Sequence, residues 1–290
     1  MKILVTGCKG QLGRELHAAL ENRFPGNTVY VGKEELDLTD RKAVDSFLAA
    51  GEFTHVINCA AYTAVDRAED ESQQCAAVNI DAVANLARNA EALGLRIIHI
   101  STDYVFDGRS SKPYTEGDKV NPLSQYGNSK RKGETVLLGL APDSIVIRSG
   151  WLYSPYGKNF VKTILSLAAG NKKLRVVSDQ VGTPTSAADL ASAIVTILSA
   201  QQWIPGIVNF SNEGVASWYD FAVAILRLAG FDATKVTPIR TDEYPAQATR
   251  PSYSVLDKSK FKATYGVAIP HWESSLARCI ERIKTEEADV

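Results

Sequence analysis

Cysteine is scarce in this 290-residue chain: Cys8, Cys59, Cys75 and Cys279 are scattered, with no Cys-x-x-Cys among them. That spacing argues against a cysteine zinc site or a disulfide framework. It suits a reduced, cytoplasmic protein in which the thiols are small filler. Histidine is equally rare, four residues without ligand spacing, so no metal site is expected. Neither sign of charge is in excess. The 32 basic and 33 acidic residues leave a formal net charge of -1, which argues against nucleic acid as a partner. Long apolar runs are missing, so no membrane span is expected. Residues 1–7 already read as a strand, which leaves no separate apolar leader region.

What is present is an ordinary globular balance, 45% hydrophobic and 22% charged. The length holds one large domain, or a domain and a smaller lobe. Over the first 150 residues, short apolar runs alternate with helical periods. Residues 2–6, 28–31, 55–58, 96–100 and 144–148 read as strands. Leu12, Leu16 and Leu20 set a helical period, and Asp40 is placed to cap a helix that turns Val44, Phe47 and Leu48 inward. Residues 72–93 read as one long helix ended by Gly94. The pattern predicts an α/β protein with a Rossmann-type, doubly wound parallel sheet, residues 1–150 forming a dinucleotide-binding domain. Residues 151–290 are expected to form mainly a smaller C-terminal substrate-binding lobe, with some late segments rejoining the sheet. Helices are expected over 160–169, 188–198 and 218–229, strands over 174–177 and 207–210, and a loop over 238–250. A last helix should start near Trp272, with a charged tail fraying after Lys284.

Three glycines, Gly7, Gly10 and Gly13, stand at three-residue spacing between the first strand and the first helix. Glycines there let the backbone turn tightly and approach a pyrophosphate, whose charge sits at the helix N-terminus. The position makes the motif specific. Gln11 and Leu12 within it are further cofactor candidates. The second strand ends in Gly32 and Lys33, a small residue and a cation that tolerate a 2′-phosphate. NADP(H) is therefore favoured, with NAD(H) left open by Glu34. Asp37 and Leu38 lie where the next loop could touch adenine. Ala60, Ala61, Tyr62 and Thr63 follow the third strand, where small residues let a cofactor cross the carboxyl edge of the sheet.

Tyr126 and Lys130 are four residues apart, one turn along the same helical face. An ammonium near a phenol favours the phenolate, so this spacing predicts a tyrosine with a lowered pKa, able to move a proton near neutral pH. Thr102 ends the fourth strand and should meet the same cleft.

Together these residues are similar to the extended short-chain dehydrogenase/reductase superfamily. Within it the chain most resembles the dTDP-4-dehydrorhamnose reductase family. The resemblance rests on Gly10-Gln-Leu-Gly13, Asn58-Cys-Ala-Ala-Tyr-Thr-Ala-Val-Asp66, Ser101-Thr-Asp-Tyr-Val-Phe106, Tyr126-Gly-Asn-Ser-Lys130, Arg148-Ser-Gly-Trp151, Asp179-Gln-Val-Gly-Thr-Pro-Thr185 and Arg250-Pro251.

The resemblance implies hydride delivery from a nicotinamide to C4 of a nucleotide-linked 4-keto-6-deoxysugar. It implies Tyr126 as proton donor, Lys130 as its pKa-lowering partner and a ribose contact, and Thr102 as a hydrogen-bond donor to the sugar oxygen. Trp151, Asp103 and Tyr104 would contact the sugar, and Arg250 would clamp the diphosphate. Family dimers bridged by magnesium through glutamates would use Glu15, but Ala188 stands at another such position, so magnesium is doubtful and a homodimer stays open. Two rival readings remain: an epimerase or dehydratase on the same scaffold, and a non-catalytic regulatory subunit. Tyr104, where dehydratases carry glutamate, argues against elimination. Intact Thr102, Tyr126 and Lys130 favour catalysis.

Overall fold

The protein, seen here as a computed structural model, is described over residues 1–170 and 173–288. Six strands form one parallel sheet: β1 (Ile3–Thr6), β2 (Thr28–Val31), β3 (His55–Asn58), β4 (Arg96–Thr102), β5 (Ile145–Ser149) and β6 (Gly206–Asn209). Their order across the sheet is β6-β5-β4-β3-β1-β2. The helices used below are α1 (Gln11–Arg23), α2 (Arg41–Gly51), α3 (Ala82–Leu93), α4 (Gln125–Leu140), α5 (Phe160–Ala169), α6 (Ala187–Ser199), α7 (Trp218–Ala229) and α8 (Trp272–Ala288).

Successive strand residues point to opposite faces, and here both faces are apolar. Ile3, Val5, Ile57, Ile98 and Ile145 pack under Leu12, Leu16 and Leu20 of α1 and Leu190, Ile194 and Ile197 of α6. Leu4, Val56, Ile97 and Val146 pack on the other side against Val44 and Leu48 of α2, Val83 and Leu86 of α3, and Leu137 of α4. The late elements α6 and β6 thus belong to the sheet layers. A third core joins α5, α7 and α8 around a parallel pair of strands, Leu174–Val177 and Val236–Ile239.

Four local expectations change. Residues 72–93 are not one helix. Ser72–Ala76 passes into a π turn, Ala77–Asp81, before α3 begins. The wide turn carries Asn79 onto the Tyr62 backbone N–H (2.9 Å) and the Ser129 hydroxyl (2.9 Å). Hydrophobic period does not reveal such a turn, which is set by this tertiary bonding. The 238–250 stretch is not all loop, since Val236–Ile239 pairs with Leu174–Val177 and a 3₁₀ turn follows at Thr241–Glu243. β4 runs two residues beyond the predicted end, so Thr102 is its last residue and pairs with Ser149. Finally α8 runs through Ala288, so the helix does not end at Lys284. Residues 289 and 290 of the predicted tail lie outside the described residues.

Candidate active site

Strand order reverses between β1 and β3, and a cleft of about 560 Å³ opens off the carboxyl ends there. Gly7, at φ +67°, forms its floor; a Cβ on it would sit 2.7 Å from the Ala60 nitrogen. A Cβ on Gly13 would sit 2.5 Å from the Gly7 carbonyl oxygen. Helix α1 opens at Gly10 with no side chain capping its first N–H groups. A cradle that side chains would fill, at an uncapped helix start, fits a dinucleotide pyrophosphate. Leu12, Ala61 and Thr63 line the same cleft. Gln11 lines it too, and its side-chain oxygen accepts from Ser154 Oγ (3.2 Å) and Asn159 Nδ2 (3.0 Å), tying the glycine loop to the segment before α5.

At the end of β2, the Gly32 N–H donates to the Glu35 carboxylate (2.8 Å). Lys33 is exposed and stands 4.0 Å from Asp37. The nearer cation is Lys9, which sequence reasoning missed although it lies inside the glycine motif. It pairs with Glu34 at 2.7 Å and Glu35 at 3.4 Å; Lys9 holds Glu34 below the usual carboxylate range, the Gly32 N–H and then Lys9 do the same for Glu35, and Glu34 holds the ammonium above its own range. Asp37 caps Thr39 (2.9 Å), and Leu38 is a core side chain whose carbonyl accepts from Asn85. The Leu38 side chain is therefore built into the core under α2 and α3. Tyr62 gives its hydroxyl to Glu71 (2.6 Å), and neither it nor Ala60 lines the cleft.

The catalytic candidates do converge. Thr102, Asp103, Tyr104, Tyr126, Lys130 and Trp151 all line the cleft. Ser124 caps α4 by accepting from the Gly127 N–H (3.1 Å), which puts Tyr126 in the first turn and Lys130 one turn on. Tyr104 meets Tyr126 edge-on, ring centroids 5.9 Å apart. The Lys130 ammonium donates to the Ile100 carbonyl (2.7 Å) and lies 3.3 Å from His99 Nε2. Burial pushes Lys130 down to about 8, opposed by Glu134.

Tyr126 departs from the sequence expectation. Burial pushes its phenol up to about 12; the Thr102 hydroxyl pulls it down and Asp103 pushes it further up. Lys130 is not the group that lowers it, because its nitrogen is engaged on the β4 side. Tyr126 thus stands as a protonated phenol at neutral pH, facing the cleft beside Thr102. Asp103 is buried and pushed up to about 6, chiefly by burial, with Ser254 and Thr102 opposing. The Thr102 hydroxyl donates to it at 3.1 Å.

Behind this group stands a buried ion pair. Arg148 donates through Nε (2.9 Å) and Nη2 (2.7 Å) to the two oxygens of Glu134, which also accept from Ser101 (2.6 Å) and Arg131 (3.1 Å). Burial alone would raise Glu134, but Arg148, then Ser101 and Arg131, hold it below the usual carboxylate range. The pair fixes α4 to β4 and β5 at the point where the reactive side chains emerge.

Trp151 takes a left-handed backbone (φ 52°), and its ring stacks on Trp218 at 3.5 Å with 4° between planes. Trp218 and Phe160 also line the cleft, and nothing local in the sequence marked them. Arg250 does not line it: Nη1 and Nη2 grip the Asp66 carboxylate at 3.0 and 2.6 Å. Arg250, expected as a diphosphate clamp, stands here in an ion pair with Asp66; it also lies near Tyr104, whose phenol is pushed up by burial and Asp103 while Arg250 opposes them. Glu15 accepts from Arg282 (2.8 and 3.0 Å). Among the described residues no cluster of three His, Cys, Asp or Glu is placed to hold a metal, and no helix is long and apolar enough to cross a membrane.

Comparison with known proteins agrees over nearly the full length. A family model described as the RmlD substrate binding domain matches residues 1–285. A dTDP-4-dehydrorhamnose reductase of Sinorhizobium fredii is 40% identical over 299 residues, covering 100% of both chains. The crystal structure of a dTDP-4-dehydrorhamnose reductase from Clostridium acetobutylicum is 42% identical, with a TM-score of 0.94 over 98% of this chain and 100% of that one. The Bacillus anthracis dTDP-4-dehydrorhamnose reductase, in complex with NADP, is 34% identical with a TM-score of 0.92 over 97% of this chain and 100% of its own. A dTDP-glucose 4,6-dehydratase of Streptomyces venezuelae, 19% identical with a TM-score of 0.81 over 99% of this chain and 98% of its own, shares the fold alone.

Proposed function

The chain belongs to the family of the RmlD substrate binding domain, and from that premise we propose that it reduces the C4 ketone of dTDP-4-dehydro-L-rhamnose to give dTDP-L-rhamnose. It is an oxidoreductase of the NADPH-dependent kind, serving polysaccharide biosynthesis. The observation that carries the reading is the meeting of Thr102, Tyr126 and Lys130 with the Gly7–Gly13 cradle in one cleft.

NADPH supplies the hydride when bound. The residues that would hold it are Gly7, Gly10 and Gly13 at the pyrophosphate and Lys130 at the nicotinamide end. Tyr126 gives its phenolic proton to the oxygen that forms at C4. A phenol standing near 12 stays protonated at neutral pH, so it is loaded for that step. The Thr102 hydroxyl lines the same cleft, and turning its proton from Asp103 to the oxygen that forms at C4 stabilises the charge that grows there. Trp151 and Trp218 form an aromatic wall against which a sugar ring can stack. Asp103 and Tyr104 fix the edge of the site opposite Tyr126.

The deciding measurement is NADPH oxidation with dTDP-4-dehydro-L-rhamnose, followed by product stereochemistry. Stoichiometric NADPH loss with formation of the L-rhamno product is expected. Protein that carries bound cofactor through turnover and consumes none would instead be an epimerase.

A further inference from the structure

His99 lies on β4 with no surface exposed, and its two ring nitrogens face different partners. Nδ1 is 3.1 Å from Asn58 Nδ2, and Nε2 is 3.3 Å from Lys130 Nζ. Hydrogen-bond logic fixes where the ring proton sits. The Ala60 backbone N–H can only donate, and it points at Asn58 Oδ1 (3.1 Å). Thr6 Oγ1 donates to the same oxygen (2.7 Å). Asn58 is therefore oriented with its NH₂ toward His99, and an NH₂ can only donate. Nδ1 must carry the lone pair, so a neutral ring carries its proton on Nε2. Burial keeps that ring neutral, and Lys130 pushes it the same way.

The Nε2–H then faces Lys130. An ammonium there sets two donors against each other; a neutral amine accepts the proton. Resting on the reductase reading above, we propose that His99 is a positioning residue: locked by Asn58, it stabilises the neutral amine of Lys130 and makes its ammonium a ready proton source during turnover. Each turnover delivers a hydride from the nicotinamide and a proton from Tyr126 to the ketone. Because its nitrogen is held on the β4 side, the Lys130 ammonium returns a proton to the Tyr126 phenolate by way of water in the cleft. The amine left behind accepts the His99 Nε2–H until water reprotonates it. The other groups facing Lys130 are Glu134 on α4, Cys75 on the Ser72–Ala76 helix and Cys59 after β3, all of which favour the ammonium. His99 and burial oppose them.

Two measurements on the whole protein test this. In ¹⁵N-histidine-labelled protein, the long-range ¹H–¹⁵N pattern of His99, assigned by its loss in His99→Leu, should show Nε2 protonated and Nδ1 bare. The reverse tautomer overturns the proposal, and this measurement needs no variant to be active. Second, the Lys130 titration midpoint, followed at ¹³Cε, should rise in His99→Leu by about one unit. The alkaline limb of kcat/KM should move with it. A fall or no change overturns the proposal, because a histidine that accepted from the ammonium would give a fall, and a merely structural one no change. Both signatures in a protein that does not oxidise NADPH with the sugar would overturn the reductase reading and leave the tautomer lock standing.

Discussion

At the ketone end of the cleft, the charged groups are buried and held by side chains of β4, β5 and α4. At the ribose end, Lys9, Glu34 and Glu35 stand in solvent on two loops. Lys130, Glu134 and Arg148 are each 1% exposed or less, whereas the Lys9 and Glu34 side chains are 59% and 71% exposed. Interactions at the first end sit in low dielectric, where losing one partner strands the other. At the second end, water and salt can replace either partner. The ketone end should therefore respond to substitution in orders of magnitude and the ribose end in small factors.

Tyr126→Phe should produce the largest effect. It removes the only proton of the phenol while keeping the ring against Tyr104. Turnover should fall by about 10²- to 10⁴-fold, with NADPH affinity retained by fluorescence titration. Unchanged turnover would remove Tyr126 from the chemistry. Next is Arg148→Leu, which leaves the Glu134 carboxylate buried without its two-pronged donor. Urea unfolding at neutral pH should show a loss of about 3–5 kcal/mol. Glu134 is held below its unfolded value, so the stability it contributes is present above about pH 4 and fades as the pH falls through the folded value. The gap between Arg148→Leu and the parent should narrow in acid. A constant gap would point to packing around the guanidinium, which also lies 5.2 Å from the Phe106 ring, rather than to charge.

The same contrast explains what could be read from the sequence. The sheet and its covering helices are written in short-range signals: apolar runs, the leucine period of α1, and the Asp40 and Ser124 caps. Thr102, Tyr126 and Lys130 were legible because a strand end and a helical face fix where they point. The π turn at Ala77–Asp81 was not, because it is set by Asn79 bonding to Tyr62 and Ser129, partners far along the chain. Trp218 shows the same limit: its ring reaches the cleft only by stacking on Trp151, 67 residues earlier (218 − 151). Arg250 has the right chemistry for a phosphate, but Asp66 already holds it. The direction of the Tyr126 shift failed for a physical reason. Four-residue spacing predicts proximity to Lys130, and it cannot report that the ammonium is engaged by a β4 carbonyl.

Asp103 gives a smaller effect that sharpens the contrast, because it is buried at the ketone end with Ser254 and Thr102, and no cation among the described residues, as its side-chain hydrogen-bond partners. Its folded value of about 6 lies above the unfolded one, so the stability it contributes is complete below about pH 4 and is lost as the pH rises through about 6. Asp103→Asn removes that loss. The variant should gain about 2 kcal/mol over the parent at pH 8 and little at pH 4, read from urea midpoints at both values. An equal gain at both would mean that hydrogen bonding, not charge, is the source.

The smallest effect belongs to the ribose end. Lys9 is the cation nearest the Gly32 turn, and Glu34 is its closest partner at 2.7 Å. A 2′-phosphate competing for Lys9 must displace that carboxylate. Removing it with Glu34→Ala leaves Lys9 free to meet the phosphate, and it also removes a repelling charge. The ratio of kcat/KM for NADPH over NADH should rise by a few-fold at low salt, and Lys9→Ala should lower it by a similar factor. Because both side chains are solvated, the difference should shrink as ionic strength shortens the Debye length. A shift of about a hundredfold that survives high salt would mean the pair acts in a closed, dry pocket when cofactor binds. The two ends of the cleft would then be alike, and the contrast between them would fall.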